Sequence, residues 1–356
     1  MGVSSAQSRD GEQGAVLKGS TPLRRLSAAG LLCGWLLAPL AGAEALRFAL
    51  VAKQMDQSFY ALAGEGCAEA AQAEGDTCLL LGPLGTEHFR RQGEVLRQAL
   101  ARDDLDGIGL AVTHSRWLAE HALKDAGRIP LIAFSSDLAP AEQQLRRSYV
   151  GLDNLQFGRQ LAVLAQRFRP QGGKLCILSG GIQHTNHLER IQGIRRQLRG
   201  NPAEDGATGR LQGENGWSEP SRCPLYGNND PASARLRLAT LLAPGSQLDV
   251  IIVLGNWPLY EADEYRRQIG PLLAELDKQG RRPVIIVTTH EMDAAQRALL
   301  DDGLAQAYLN MEGREIGRQS YRMLKRLARS EPVPEKVFVA SHVYLPGAPP
   351  AVAPEP

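Results

Sequence analysis

Polar and aromatic side chains gather just behind the apolar runs of this sequence. Gln57, Phe59 and Tyr60 follow the run at 46–52, and Ser135, Ser136 and Asp137 close the run at 130–135. Asn186 and Arg190, preceded by His184, come after 174–180, and Asn256 and Trp257 after 249–255. Thr289, with His290 and Glu291 behind it, ends the run at 283–289, and Asn310 ends the run at 305–310. Flat rings among neutral hydrogen-bonding groups suit a sugar: its ring has apolar faces that stack on aromatics and hydroxyls that pair with Asn, Arg and Asp. Each residue also has a plainer role. Phe59 and Tyr60 could staple a helix entry, although neighbours on a helix point about 100° apart, so the pattern favours at most one of them as core. Trp257, before Pro258, fits loop packing as well as stacking. Asn186 fits a helix cap and Arg190 a surface ion pair. Ser135 and Ser136 fit caps of the next helix, and His184, His187 and His290 fit solvated surface positions.

Catalytic signatures are missing from the sequence. It contains no G-x-S-x-G elbow, no G-x-x-x-x-G-K-[ST] phosphate loop and no G-x-G-x-x-G behind a strand, and no nucleophile has a base near it in sequence. Asp103 and Asp104 read as a solvated loop. No C-x-x-C or H-x-x-x-H spacing suggests a metal, so neither metal nor cofactor is expected. A net charge of +1 without Lys/Arg clusters argues against a nucleic-acid surface.

The elements that must position these residues follow a regular beat. With 356 residues, 43% of them apolar and 22% charged, the chain can build two ordinary cores. Arg24 and Arg25, a short apolar run and the small residues Ala41 to Ala43 read as a signal peptide over 1–43, cleaved near Ala43. The run is shorter than the roughly 20 residues of a membrane span. Cys33 would leave with it, and the Leu before it is a poor match to a lipid-attachment site. Four cysteines remain, Cys67 with Cys78 and Cys176 with Cys223, the spacing expected of two local bridges in an oxidising compartment; four cysteines allow three pairings.

Apolar runs at 46–52, 77–83, 107–112, 130–135, 149–152, 174–180, 249–255, 283–289 and 305–310 alternate with segments of helical spacing such as 89–102 and 188–200. This predicts an α/β protein of two similar doubly wound parallel-sheet lobes, with a loop excursion at 201–231 and an unstructured tail at 347–356. In such sheets ligands collect beyond the carboxyl ends of the strands, where the residues above stand.

In their order, "DQSFYALAGEGC", "IPLIAFSSD", "YVGLDNLQFGRQLA", "NHLERIQG", "VLGNWPLY" and "EGREIGRQSYRML" resemble the periplasmic binding proteins of fold type I, the ribose-binding type, sugar-binding components of ABC transporters. The resemblance runs from Leu46 to about Pro346. It implies a three-strand hinge crossed near Val150, near Asn310 and between Ala340 and Val343. Lobe one would be 46–149 plus 312–339, and lobe two 150–311 plus 340–346. It implies stacking by Phe59 and Tyr60, with Gln57 where the family often has Asn. Ser135 and Thr289 stand where sugar-binding Asp is common, Ser136 stands at a frequent Arg, and the late Gln falls at Asn310 or Met311. These departures make ribose a poor expectation. The implied protein is a periplasmic, monomeric solute-binding protein that delivers a small polar ligand to an ABC permease. Alternatives are a ligand-sensing partner of a sensor kinase or chemoreceptor, a lactose-repressor-type regulator, which lacks the helix-turn-helix it would need, and a secreted enzyme using His290, Glu291 and Asp293.

Overall fold

The computed structural model describes residues 44–353 apart from 125, 128 and 201–208; the expected signal segment lies outside the described residues. Among the described residues, fourteen strands fall into two sheets. The first contains β1 (Arg47–Val51), β2 (Thr77–Leu81), β3 (Gly107–Leu110), β4 (Leu131–Phe134) and β5 (Ser148–Gly151). The second begins with β6 (Gly173–Ser179), β7 (Trp217–Ser218), β8 (Leu225–Tyr226), β9 (Val250–Val253), β10 (Val284–Thr289) and β11 (Ala307–Asn310). Of the last three strands, β12 (Lys336–Phe338) returns to the first sheet, and β13 (His342–Tyr344) and β14 (Ala351–Val352) extend the second. The first sheet runs β2-β1-β3-β4-β5-β12, parallel throughout. In the second, β6-β9-β10-β11 are parallel and β13 adds antiparallel to β11.

Helices connect the strands: α1 (Ser58–Gln72), α2 (Phe89–Leu100), α3 (Ser115–Leu118), α4 (Asn154–Phe168), α5 (Thr185–Arg199), α6 (Pro231–Leu241), α7 (Ala262–Lys278), α8 (Ala294–Asp301) and α9 (Gly313–Ala328). Strand side chains alternate between two buried faces, which is why the runs read as continuously apolar. In β1, Phe48 and Leu50 pack with Ala63 of α1 and Leu324 of α9, while Ala49 and Val51 pack with Leu96 of α2 and Leu118 of α3. In β6, Leu175 and Ile177 join the core shared with Phe157 of α4 and Ile194 of α5, and Cys176 and Leu178 join that of α6, α7 and α8.

The two sheets repeat one packing device. A Cβ on Gly66 or Gly317 would lie 2.0 Å from Arg314 O or 1.9 Å from Ala63 O, and one on Gly158 or Gly193 would lie 2.1 Å from Arg190 O or 2.0 Å from Leu155 O. The helix pairs α1–α9 and α4–α5 therefore touch backbone to backbone, and glycine alone fits at the crossing.

The chain passes between the sheets after β5, after β11 and between β12 and β13. The Asn310 side chain accepts from Glu312 N at 2.8 Å and donates to Tyr344 Oη at 3.3 Å, and Glu312 meets His342 Nδ1 at 2.7 Å, tying two of the passages together.

Two expectations need correcting. The tail at 347–356 is not wholly unstructured: Ala351 and Val352 pair with Val343 and His342, covering the edge that β13 would otherwise expose. The excursion at 201–231 contains β7 and β8, which add to β6 because the short polar segment finds its backbone partners there.

Both cysteine pairs are bridged as their spacing suggests, Cys67–Cys78 joining α1 to β2 at 5.8 Å between Cα atoms and Cys176–Cys223 tying the excursion to β6 at 5.4 Å. Loops of 11 and 47 residues correspond to about 3 and about 4 kcal/mol of chain-entropy stabilisation. Reduction is expected to lower the melting temperature by several degrees, and mass spectrometry of the unreduced protein should find none of these four thiols free.

Candidate functional site

Both sheets reverse strand order between neighbours whose crossovers diverge, β1/β3 and β6/β9, and crevices form beyond the carboxyl ends at such points. The two crevices face each other. Lys53, Gln57, Phe59 and Tyr60 come from the β1–α1 turn and Ser135 from the end of β4. Opposite them stand Asn186, His187 and Arg190 of α5, Asn229 ahead of α6, Leu254 to Trp257 behind β9, Tyr260 and Met311. Together they line a tight cavity of about 30 Å³.

Eight residues singled out in the sequence meet here: Gln57, Phe59, Tyr60, Ser135, Asn186, Arg190, Asn256 and Trp257. Phe59 and Tyr60 both line the cleft and both belong to the core, 6% and 4% exposed, so the choice between site and core was too strict. Their rings meet edge to face at 5.1 Å, and Tyr60 meets Phe134 likewise at 6.2 Å. Such edge-to-face packing fixes the wall that a ligand would touch. Ser135 holds a left-handed backbone with φ of 61°, uncommon outside glycine and a mark of over-determined functional turns.

Four expected residues are turned elsewhere. Ser136 Oγ donates to Val112 O at 2.9 Å and lies 3.2 Å from Thr185 Oγ1. Asp137 receives Arg146 through two bonds of 2.6 Å, so its carboxylate is already committed. Thr289 is fully buried, with its hydroxyl toward His290 O at 3.2 Å. Asn310 serves the hinge, and its neighbour Met311 reaches the cleft instead, because successive residues of an extended chain alternate sides.

Lys53, His187, Asn229, Leu254, Gly255 and Tyr260 complete the lining and were not among the residues expected, while Met311 was the alternative to Asn310. Lys53 stands two residues past the end of β1, so the strand-end rule itself could have found it. His184, His187 and His290 are buried rather than solvated. The sequence also gave no sign of a hydroxyl beside a base, yet Ser58 Oγ lies 2.7 Å from His290 Nε2. That nitrogen also faces the Asn256 amide, while Nδ1 donates to Glu291 O at 3.0 Å. Glu291 is engaged by Arg314, and Asp293 caps α8, so neither carboxylate orients the histidine. Ser58 and His290 belong to opposite sides of the cleft and do not line it; the pair acts as a clasp.

Further clasps join the two sides. Thr185 Oγ1 donates to Asp137 O at 2.7 Å, Lys53 Nζ to Asn186 Oδ1 at 3.4 Å, and Glu87 meets both His184 Nε2, at 2.6 Å, and the Asn229 amide. Arg190 is held without a carboxylate contact: Nε donates to Asn154 Oδ1 at 2.9 Å, Nη1 to Leu254 O at 3.1 Å, and the guanidinium lies 4.7 Å over the Phe157 ring. Gln57 Nε2 and Asn229 Oδ1 are buried with no hydrogen-bond partner among the described residues, a condition that costs about 1–3 kcal/mol each until something pairs with them.

Residues 48–332 match the family described as periplasmic binding protein domain. No curated protein matches the chain by sequence. Among solved structures, GanP, a glucose-galactose binding protein from Geobacillus stearothermophilus, is 17% identical over 85% of this chain and 98% of its own, with a TM-score of 0.69. An ABC transporter solute-binding protein from Burkholderia graminis in complex with D-arabinose is 18% identical over 84% and 95%, with a TM-score of 0.68. The XylFII–LytSN complex matches at 15% over 85% and 98%, with a TM-score of 0.66. At these identities the likeness is one of fold.

Burial gives the clasp histidines one sign. It lowers the imidazole pKa of His184, His187 and His290, with Lys53 adding to the effect at the first two. Burial opposes ionisation of Glu87, but His184, Lys53 and Asn229 outweigh it and hold the carboxyl below its usual range. The closed protein therefore binds fewer protons than an opened or unfolded chain. Its stability is full above the ordinary imidazole value of about 6.5 and falls as pH drops below it. The melting temperature is expected to fall between pH 7 and pH 5, and His184→Gln should make that fall shallower; an unchanged slope in the variant would remove His184 from the account.

Proposed function

Since the chain belongs to the periplasmic binding protein domain family, we propose that it is an exported solute-binding protein that closes two lobes over a small polar ligand of carbohydrate type. Lobe one comprises 46–149 plus 312–339 and lobe two 150–311 plus 340–346; the signal peptide is cleaved near Ala43 on export. The observation that carries the reading is the lining itself, in which Phe59, Tyr60 and Trp257 provide ring faces and Gln57, Ser135, Asn186, Asn229 and Asn256 provide neutral polar groups between two sheets joined by three passages. Fold relatives with D-arabinose and with glucose-galactose specificity support a sugar.

Binding would draw the clasps together, and a partner in the membrane would recognise the closed shape. Delivery to an ABC permease by a monomer is the primary role. The second role, sensing through a membrane receptor, is favoured by one fold relative being a complex of XylFII with a second protein, LytSN. Neither role involves chemistry on the ligand.

A thermal-shift screen of the mature protein against sugars, polyols and amino acids tests this. A true ligand at a hundred times its Kd adds about 2.7 kcal/mol of stability and is recovered unchanged; turnover of the compound would contradict the reading. Gln57→Ala should weaken binding roughly fivefold, through loss of one hydrogen bond of about 1 kcal/mol, with little change in the melting temperature of the unliganded protein.

A further inference from the structure

The charge of the cleft wall narrows the ligand further. Lys53 and Arg190 both line the cleft and are each 2% exposed, whereas among the described residues no Asp or Glu lines it. Arg190 rests on an amide, a carbonyl, a thioether and a ring, all neutral. Among the described residues Lys53 reaches only the Asn186 amide oxygen, at 3.4 Å. Glu87, which is not part of the wall, is already engaged by His184 and Asn229. Glu189, next to Arg190 in the chain, lines a separate groove with Asp153 and Lys336. Glu87 partly offsets Lys53, and Glu189 acts on Arg190 only from its separate groove, which leaves the cleft wall net positive.

The backbone adds to this field. The N-termini of α1 and α5 open on the cleft, preceded by Gln57 and His184. Neither has a side-chain cap or an acidic residue in its first turn. Free amide groups at helix N-termini favour negative charge, and burying a cation without a counter-charge is unfavourable by several kcal/mol. Burial indeed pulls the Lys53 pKa down to about 8, only partly offset by Glu87.

We propose that the ligand is a sugar acid: a polyhydroxylated monocarboxylate whose carboxylate sits between Lys53 and Arg190 while its hydroxyls meet the neutral polar groups and its carbon face meets the rings. This rests on the carbohydrate-type reading above and specifies its charge. A neutral sugar would leave the net positive wall uncompensated, and a dianionic phosphate ester would over-compensate it.

Calorimetry with the mature wild-type protein tests this on matched compounds: D-glucose, D-gluconate and glucose 6-phosphate, and D-galactose, D-galacturonate and galactose 6-phosphate. At least one sugar acid should bind at least tenfold more tightly than its neutral parent and its phosphate ester. Lys53→Met should weaken that binding tenfold or more, Lys53→Arg should restore most of it, and far-UV circular dichroism should report both variants folded. If a neutral sugar binds as tightly as its acid, or the phosphate ester binds best, the inference fails and the carbohydrate-type reading stands. If a screen extended across neutral sugars, sugar acids and sugar phosphates finds no binding, both fail.

Discussion

Closing two polar surfaces on each other is favourable only when every buried polar group gains a partner, and that constraint governs this molecule. Glu87 bridges to His184 and Asn229, Ser58 to His290 and Thr185 to Asp137 O, each across the gap between the sheets. These contacts are short and complementary, so the two sides register in one way. Hydrogen bonds between buried groups contribute modestly when made and cost more when left open. The unpaired atoms of Gln57 and Asn229 mark where closure is incomplete without a bound molecule.

The rest of the fold keeps that closure precise. Backbone contact between α1 and α9 and between α4 and α5 leaves each lobe little freedom to deform, because the glycines at both crossings have no atoms to yield. The lobes are joined by the three passages, at two of which Asn310, Glu312, His342 and Tyr344 form a polar joint. The disulfides act within each lobe: one fastens α1 to its own sheet, and the other holds the Cys223 excursion to β6. Charge follows the same division, with clasp carboxylates engaged and the two cleft cations left facing inward.

Much of this was legible in the residues. All nine apolar runs became strands, because parallel strands buried on both faces must be apolar throughout. The strand-end rule placed Gln57, Phe59, Tyr60, Ser135, Asn186, Arg190, Asn256 and Trp257 on the cleft, since topology fixes where strand ends point. It failed where direction matters more than position. Asn310 and Met311 are neighbours on opposite sides of an extended chain, and Asp137 was taken by Arg146, nine residues on, which no spacing announces. Asn229 lies in an excursion whose path is set by a bridge and by pairing with β6. Lys53 stands two residues past β1, where the strand-end rule reaches it, but its burial to 2% exposure is not announced by the sequence.

The central claim is that a bound molecule completes the interface and holds the lobes together. Small-angle X-ray scattering of the mature protein, with and without the compound that most raises its melting temperature, tests it most directly. The account predicts a smaller radius of gyration and a shorter maximum dimension with the compound, at a pH above the ordinary imidazole value. Identical scattering curves from free and saturated protein would contradict it.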